Sequence, residues 1–86
     1  MVIDYIGLLS NLFGFSIFFP ADPNQCDRII RHVAGSAGAV FVGMGRSKLP
    51  VLCDEGGRAF YDERRPRFEP GRADVLRDGE DAAIIA

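Results

Sequence analysis

The residues best suited to chemistry in this sequence are Arg46 and its neighbour Lys48, which follow Gly43 and Gly45 at the end of an apolar stretch. Residues 40–44 have the length and composition of a buried strand. In open α/β sheets, ligands bind beyond the carboxyl ends of the strands. An arginine there, beside glycines that allow close approach, suits a phosphate or a carboxylate because its guanidinium donates a fork of hydrogen bonds. We therefore interpret Arg46 as the candidate anion-binding residue.

The other reactive residue types have simpler interpretations. Lys48 is expected to be a solvated neighbour of Arg46, and His32 to lie near the end of a helix, where a cation is favoured. Cys26 and Cys53 form no metal-ligand pattern; a pair of free thiols in a reducing compartment is the preferred interpretation, and a disulfide between them stays open. No serine or cysteine has an evident general base and no carboxylates are paired, so the sequence predicts neither catalytic nor metal-binding residues.

Composition limits the classes of function. The 86 residues suffice for one small domain, and 48% hydrophobic with 26% charged residues is ordinary globular usage. Ten basic against twelve acidic residues give a net charge of −2, which offers no electrostatic case for nucleic acid or an anionic membrane. The apolar first twenty residues lack a basic start and a cleavage site, so a buried helix and strand explain them better than a membrane segment. A cytoplasmic location follows as an expectation.

Periodicity predicts helix, strand, helix, strand in residues 1–52. An apolar stripe at helical spacing comes first, formed by Ile3, Ile6, Leu9, Leu12 and Phe13. Residues 15–19 then form a continuous apolar run typical of a strand covered on both faces. The second helix has Asp22 as its N-cap, Pro23 at its first position and an apolar stripe at Cys26, Ile29, Ile30, Val33 and Ala34. The predicted fold is α/β, a partial three-layer unit with parallel strands and a right-handed crossover.

The remainder divides into two predicted parts. Residues 53–71 are polar and rich in turn-forming residues, and we expect Phe60, Tyr61 and Phe68 to attach this irregular loop to the body. Residues 72–76 and 82–86 resemble two strands joined through Asp78-Gly79, a dipeptide typical of hairpin turns. The sequence therefore predicts a C-terminal hairpin over residues 72–86, with the chain ending inside a strand.

Three segments in this order resemble transketolase, a thiamine-diphosphate enzyme. They are residues 3–31 (IDYIGLLSNLFGFSIFFPADPNQCDRIIR), residues 40–52 (VFVGMGRSKLPVL) and residues 68–86 (FEPGRADVLRDGEDAAIIA). Deoxyxylulose-phosphate synthases and pyruvate dehydrogenase beta subunits share the architecture, but GRSKLP is closer to transketolase. The resemblance implies that residues 1–52 are the back half of a pyrimidine-binding domain, and that the hairpin leads to a C-terminal domain that is missing.

The resemblance also implies what this fragment can do. Arg46 matches the arginine that binds the substrate's phosphate in the family. The glutamate that activates the cofactor, a Gly-Pro-Thr-His-Gln segment and the Gly-Asp-Gly motif for diphosphate and magnesium have no counterpart here. Thiamine diphosphate and Mg²⁺ therefore belong to the full-length family, and we expect no cofactor and no activity for the fragment alone. We expect a homo-oligomer that binds a sugar phosphate weakly; the alternative is a non-enzymatic small oligomeric module.

Overall fold

The computed structural model describes residues 4–62 and 68–85 of the chain. Its elements are α1 (Tyr5–Leu9), β1 (Phe15–Phe18), α2 (Pro23–Ala34) and β2 (Ala39–Val42). This order confirms the small α/β unit that periodicity predicts. Ile3 of the first stripe, residues 63–67 of the polar loop and Ala86 lie outside the described residues.

The two strands are parallel and form a two-stranded sheet, as predicted. Tyr5 of α1 stacks on Phe41 with ring centroids 5.5 Å apart, and His32 of α2 meets Phe18 edge-on at 6.4 Å. Phe18 lies one register position beyond the pair that contains Phe41, so these two side chains point to opposite faces of the sheet. The helices therefore cover opposite faces, which confirms the partial three-layer arrangement.

The first helix is shorter than its apolar stripe predicts. It ends at Leu9, and the Ser10 hydroxyl and the Asn11 amide both donate to the Gly7 carbonyl, at 3.3 and 2.6 Å. Such local side-chain bonds compete with the helical ladder, and a turn follows. Phe13 is fully exposed, so no described residue covers the end of the stripe. Gly14, which follows the apolar stripe, has a positive φ of 79° in the turn before β1.

The second helix begins where the capping signals place it. The Asp22 carboxylate accepts a hydrogen bond from the Gln25 backbone N–H at 2.7 Å, and the Gln25 side chain accepts one from the Ala21 N–H, also at 2.7 Å. Pro23 occupies the first helical position, where its missing N–H costs nothing. The bond from the Gln25 N–H pairs a donor that a helix start otherwise leaves unpaired, and the bond from the Ala21 N–H ties the residue before the cap to the same turn.

The first part of the loop predicted over residues 53–71 is ordered: residues 52–60 fold into a short antiparallel turn that we call the 52–60 turn. Cys53 and Ala59 pair as a β-bridge, and the Phe60 N–H donates to the Leu52 carbonyl at 2.7 Å. The Asp54 carboxylate closes the turn by accepting hydrogen bonds from two backbone N–H groups within it. Sequence periodicity does not predict this turn, because the turn depends on the bonds of a single side chain, Asp54, and not on an alternation of apolar and polar residues.

The buried apolar core lies where α2 meets the 52–60 turn. Its members among the described residues are Ile29, Phe60 and Tyr61, all below a tenth exposed. Phe60 and Tyr61 are thus buried as the sequence predicts. Phe68 packs edge-on against Phe18 at 5.6 Å, which attaches the chain beyond the loop to the same body.

The C-terminal hairpin predicted for residues 72–86 is not present in the described part, since residues 72–85 contain no strand. Val75, Ile84 and Ile85 are 66%, 94% and 96% exposed. An isolated two-stranded hairpin is marginal in water unless one of its faces is covered. The Asp78-Gly79 turn signal alone is therefore insufficient, because none of the helices and strands that the structure describes packs against the apolar side chains that flank it.

Candidate functional site

Arg46 lies in the stretch that leaves the carboxyl end of β2, residues 43–52, which we call the Arg46 segment. Its first residue, Gly43, continues the sheet by donating its N–H to the Phe18 carbonyl at 2.8 Å. A Cβ atom at Gly43 would fall inside the ring of Phe19, so only glycine fits this close approach without movement of the ring. The Arg46 segment therefore starts from a fixed point beside the end of β1, where sequence reasoning expects ligands to gather.

Two further contacts tie the Arg46 segment to the connection between β1 and α2. The Cys26 thiol donates to the Met44 sulfur at 3.2 Å, which places the segment against the first turns of α2. The Leu52 backbone N–H donates to the second oxygen of the Asp22 carboxylate at 3.0 Å. The segment is thus held at its first two residues and at its end.

Asp22 is the most buried charged residue that the structure describes, with 2% of its surface exposed. One carboxylate oxygen accepts from Gln25 at the start of α2, and the other accepts from Leu52, thirty residues further along. A buried carboxylate needs such donors, and the N-terminus of the helix adds a favourable partial positive charge. Asp22 is therefore both a helix cap and a tie across the fold.

The Gln25 side chain extends this polar network. Its amide donates to the Tyr61 hydroxyl at 2.9 Å, and that hydroxyl donates to the Asp74 carboxylate at 3.1 Å. The Arg28 guanidinium donates to the Asp62 carbonyl close by. These bonds hold the start of α2 against the chain that follows the 52–60 turn.

Arg46 itself is exposed, as is Lys48. No hydrogen bond or ion pair joins Arg46 to residues 4–62 or 68–85. Its five N–H donors consequently face solvent and can bind an anion in a bidentate geometry. This arrangement can bind an anion.

The remaining candidates take structural positions. His32 is exposed but packs edge-on against Phe18 and Phe68, and Cys26 and Cys53 are both free thiols. Within the described ranges no three His, Cys, Asp or Glu side chains cluster as metal ligands. The described helices also include none with the length and apolar character needed to cross a bilayer.

Sequence reasoning located Arg46 but missed the ties that hold its segment. The Asp22–Leu52 and Cys26–Met44 bonds join residues 30 and 18 positions apart. No periodic pattern connects positions at such separations. The helix cap already explains why an aspartate stands at position 22, so the sequence gives no reason to expect a second bond to its other carboxylate oxygen.

Two curated relatives match nearly the whole chain. It is 32% identical over 84 residues to a subunit of the apulose-4-phosphate transketolase of Actinobacillus succinogenes, a match that covers 98% of this chain and 24% of the relative. It is 28% identical over 81 residues to y4mN, a transketolase-family protein of Sinorhizobium fredii, covering 94% of the chain and 21% of that protein. The chain spans about a quarter of the length of these relatives. No protein-family model and no solved structure matches it.

Proposed function

Because the chain is related in sequence to the transketolase family over nearly its whole length, we propose that it is a segment of a transketolase-type enzyme. In the complete enzyme the reaction would be ketol transfer between sugar phosphates. In that enzyme, the role of this segment would be to place Arg46 where it can bind the phosphate of the sugar. The observation that carries the proposal is the exposed arginine on a tethered segment just beyond the carboxyl end of a parallel strand.

A phosphorylated sugar is the ligand class that best fits Arg46. The guanidinium matches phosphate oxygens in a planar fork, whereas a neutral sugar hydroxyl gains less from its charge. The relative from Actinobacillus succinogenes carries a sugar phosphate, apulose 4-phosphate, in its name. Both points support an anion at Arg46, and neither selects a particular sugar.

Replacing Arg46 by alanine is expected to weaken the binding of inorganic phosphate about fivefold, since one exposed charge-assisted contact contributes about 1 kcal/mol. Phosphate titration followed by the backbone amide shifts of residues 43–52 measures this. The matched control is Arg58→Ala, which removes an exposed arginine from the 52–60 turn and should leave the affinity unchanged. Equal weakening in both variants would show a general charge effect and refute the site.

We propose that the 86-residue chain has no transketolase activity by itself. The family resemblance assigns the groups that activate thiamine diphosphate and bind its diphosphate and Mg²⁺ to segments with no counterpart here. Supplying thiamine diphosphate, Mg²⁺ and a ketose phosphate to the pure chain should therefore give no transfer above background. Measurable turnover would contradict the proposal.

We also propose that the chain is located in the cytoplasm, a reducing compartment in which its two free thiols would stay unpaired.

A second candidate function is a small non-enzymatic module that self-associates. Both strands of the two-stranded sheet are edge strands, and the exposed apolar side chains include Phe13, Ile84 and Ile85. Open edges and exposed apolar surface favour association between chains. The net charge of −2 gives no electrostatic reason to propose nucleic acid or an anionic membrane as partner.

Sedimentation velocity at micromolar concentrations is expected to show a dimer or a larger assembly. The variant Phe13→Asp places a charge at a fully exposed apolar position and should shift the distribution toward monomer if that surface is buried on association. A wild-type chain that sediments as a monomer at every concentration would rule out the self-associating module and leave the anion-binding proposal intact.

A further inference from the structure

The two ends of the Arg46 segment are held to the rest of the fold by different numbers and kinds of contact. Its first half is held by the Gly43 backbone bond to Phe18 and by the sulfur contact between Met44 and Cys26. Its second half returns to the body at Leu52, where the Asp22 carboxylate accepts the backbone N–H. Apart from a weak thiol contact at Val51, no hydrogen bond to the described part of the chain holds residues 45–51. The Leu52 carbonyl also accepts from the Phe60 N–H within the 52–60 turn, so Leu52 has two ties, and the bond to Asp22 is the one that joins the end of the segment to the start of α2.

We propose that Asp22 is the positioning residue for anion binding at Arg46. Its buried carboxylate fixes the Leu52 end of the Arg46 segment, and this limits the conformations that residues 45–51 can sample. An arginine that is already held in its binding geometry loses less conformational entropy when the anion arrives. The inference rests on the proposed function of Arg46 and adds a second residue, which need not touch the ligand.

The sign of the expected effect separates positioning from simple electrostatics. Asp22 carries a negative charge, and a negative charge near an anion site weakens binding. If Asp22 acted only through its charge, neutralising it would strengthen the binding of phosphate. If it acts by holding Leu52, neutralising it should weaken the binding. The two roles therefore predict opposite changes in the same measurement.

The substitution Asp22→Asn separates the tie from the helix cap. Asparagine is as good an N-cap as aspartate, so its single carbonyl oxygen can keep the bond to the Gln25 N–H. Its amide nitrogen is a donor and cannot accept from the Leu52 N–H. The matched control is Asp27→Asn on the same helix. The exposed Asp27 pairs with Arg31 at 2.9 Å, which lowers the pKa of Asp27, and it has no bond to the Arg46 segment.

The test uses amide spectra of the full chain titrated with inorganic phosphate, together with hydrogen exchange and the amide order of residues 45–51. In Asp22→Asn, the Leu52 amide should exchange about tenfold faster, residues 45–51 should become less ordered, and phosphate should bind about threefold more weakly. Asp27→Asn should match wild type or bind slightly more tightly. Unchanged or tighter phosphate binding in Asp22→Asn would overturn the inference.

Failure of the proposed function is distinguishable from failure of this inference. If wild type and Arg46→Ala are alike in showing no phosphate binding, the function assigned to Arg46 is refuted, and the role of Asp22 in anion binding falls with it. If wild type binds phosphate and Arg46→Ala binds it about fivefold more weakly, only the Asp22 comparison decides the inference. Should Asp22→Asn fail to fold, Leu52→Pro takes its place. It removes the N–H, preserves the Leu52 carbonyl that pairs with Phe60, and should weaken phosphate binding to the same degree.

Discussion

Ile29→Ala is expected to lower the free energy of unfolding by about 2–5 kcal/mol, the range typical of truncating a fully buried isoleucine. Ile29 is 2% exposed and is one of three buried apolar residues in the part of the chain that the structure describes. The substitution leaves a cavity, and because few buried side chains surround it, they can fill it only in part. The loss comprises the transfer free energy of the removed methyl and methylene groups and the cost of the remaining void.

The measurement is urea unfolding followed by far-ultraviolet circular dichroism, with Ile30→Ala as the matched control. Ile30 is the next residue of the same helix and is 43% exposed, so the same atoms are removed from a site that water already reaches. We expect a loss of about 1 kcal/mol for the control, since roughly half of the burial is forfeited. Similar losses in the two variants would mean that Ile29 is not at the centre of the core.

The second large effect is expected for Asp22→Ala, which should destabilise the fold by about 2–3 kcal/mol. Loss of the helix cap contributes about 1 kcal/mol. The Leu52 N–H loses its partner in a half-buried position, which adds about 1–2 kcal/mol. Both consequences follow from one side chain because its two oxygens serve two different parts of the chain.

Urea unfolding of Asp22→Ala beside Asp22→Asn checks this prediction. The asparagine variant keeps the cap and should lose about half as much stability as the alanine variant. If alanine costs no more than asparagine, the cap contributes nothing. If both cost under about 0.5 kcal/mol, which is typical of an unimportant surface site, then the carboxylate is not buried as described.

The second helix shows what local sequence signals can predict. Its N-cap, its proline and its reciprocal glutamine act within four residues of one another, so the sequence alone defines its start. The parallel pairing of β1 and β2 was also predictable, because a helix between two short apolar strands leaves few other topologies. The length of the first helix was overestimated, since the bonds of Ser10 and Asn11 to Gly7 compete with the helical ladder where the apolar stripe ends in a fully exposed Phe13.

The candidate site was predictable only in part. Arg46 follows the end of a strand, and that relation is visible in sequence order. The partner of Leu52 is not, because tertiary contacts across thirty residues depend on how the turn and the helix pack. The C-terminal hairpin failed for a related reason: turn residues favour a reversal of the chain, but strands form only where another surface buries them.

The hydroxyl bridge between α2 and Asp74 gives this molecule a built-in optical signal. The chain has no tryptophan and two tyrosines, of which Tyr61 is 7% exposed and Tyr5 is 42% exposed. Ultraviolet fluorescence is therefore dominated by these two rings, and Tyr61 is the one whose hydroxyl bonds to Asp74. Its emission is expected to change when the chain around Asp74 separates from α2, so that separation can be followed without attaching a dye.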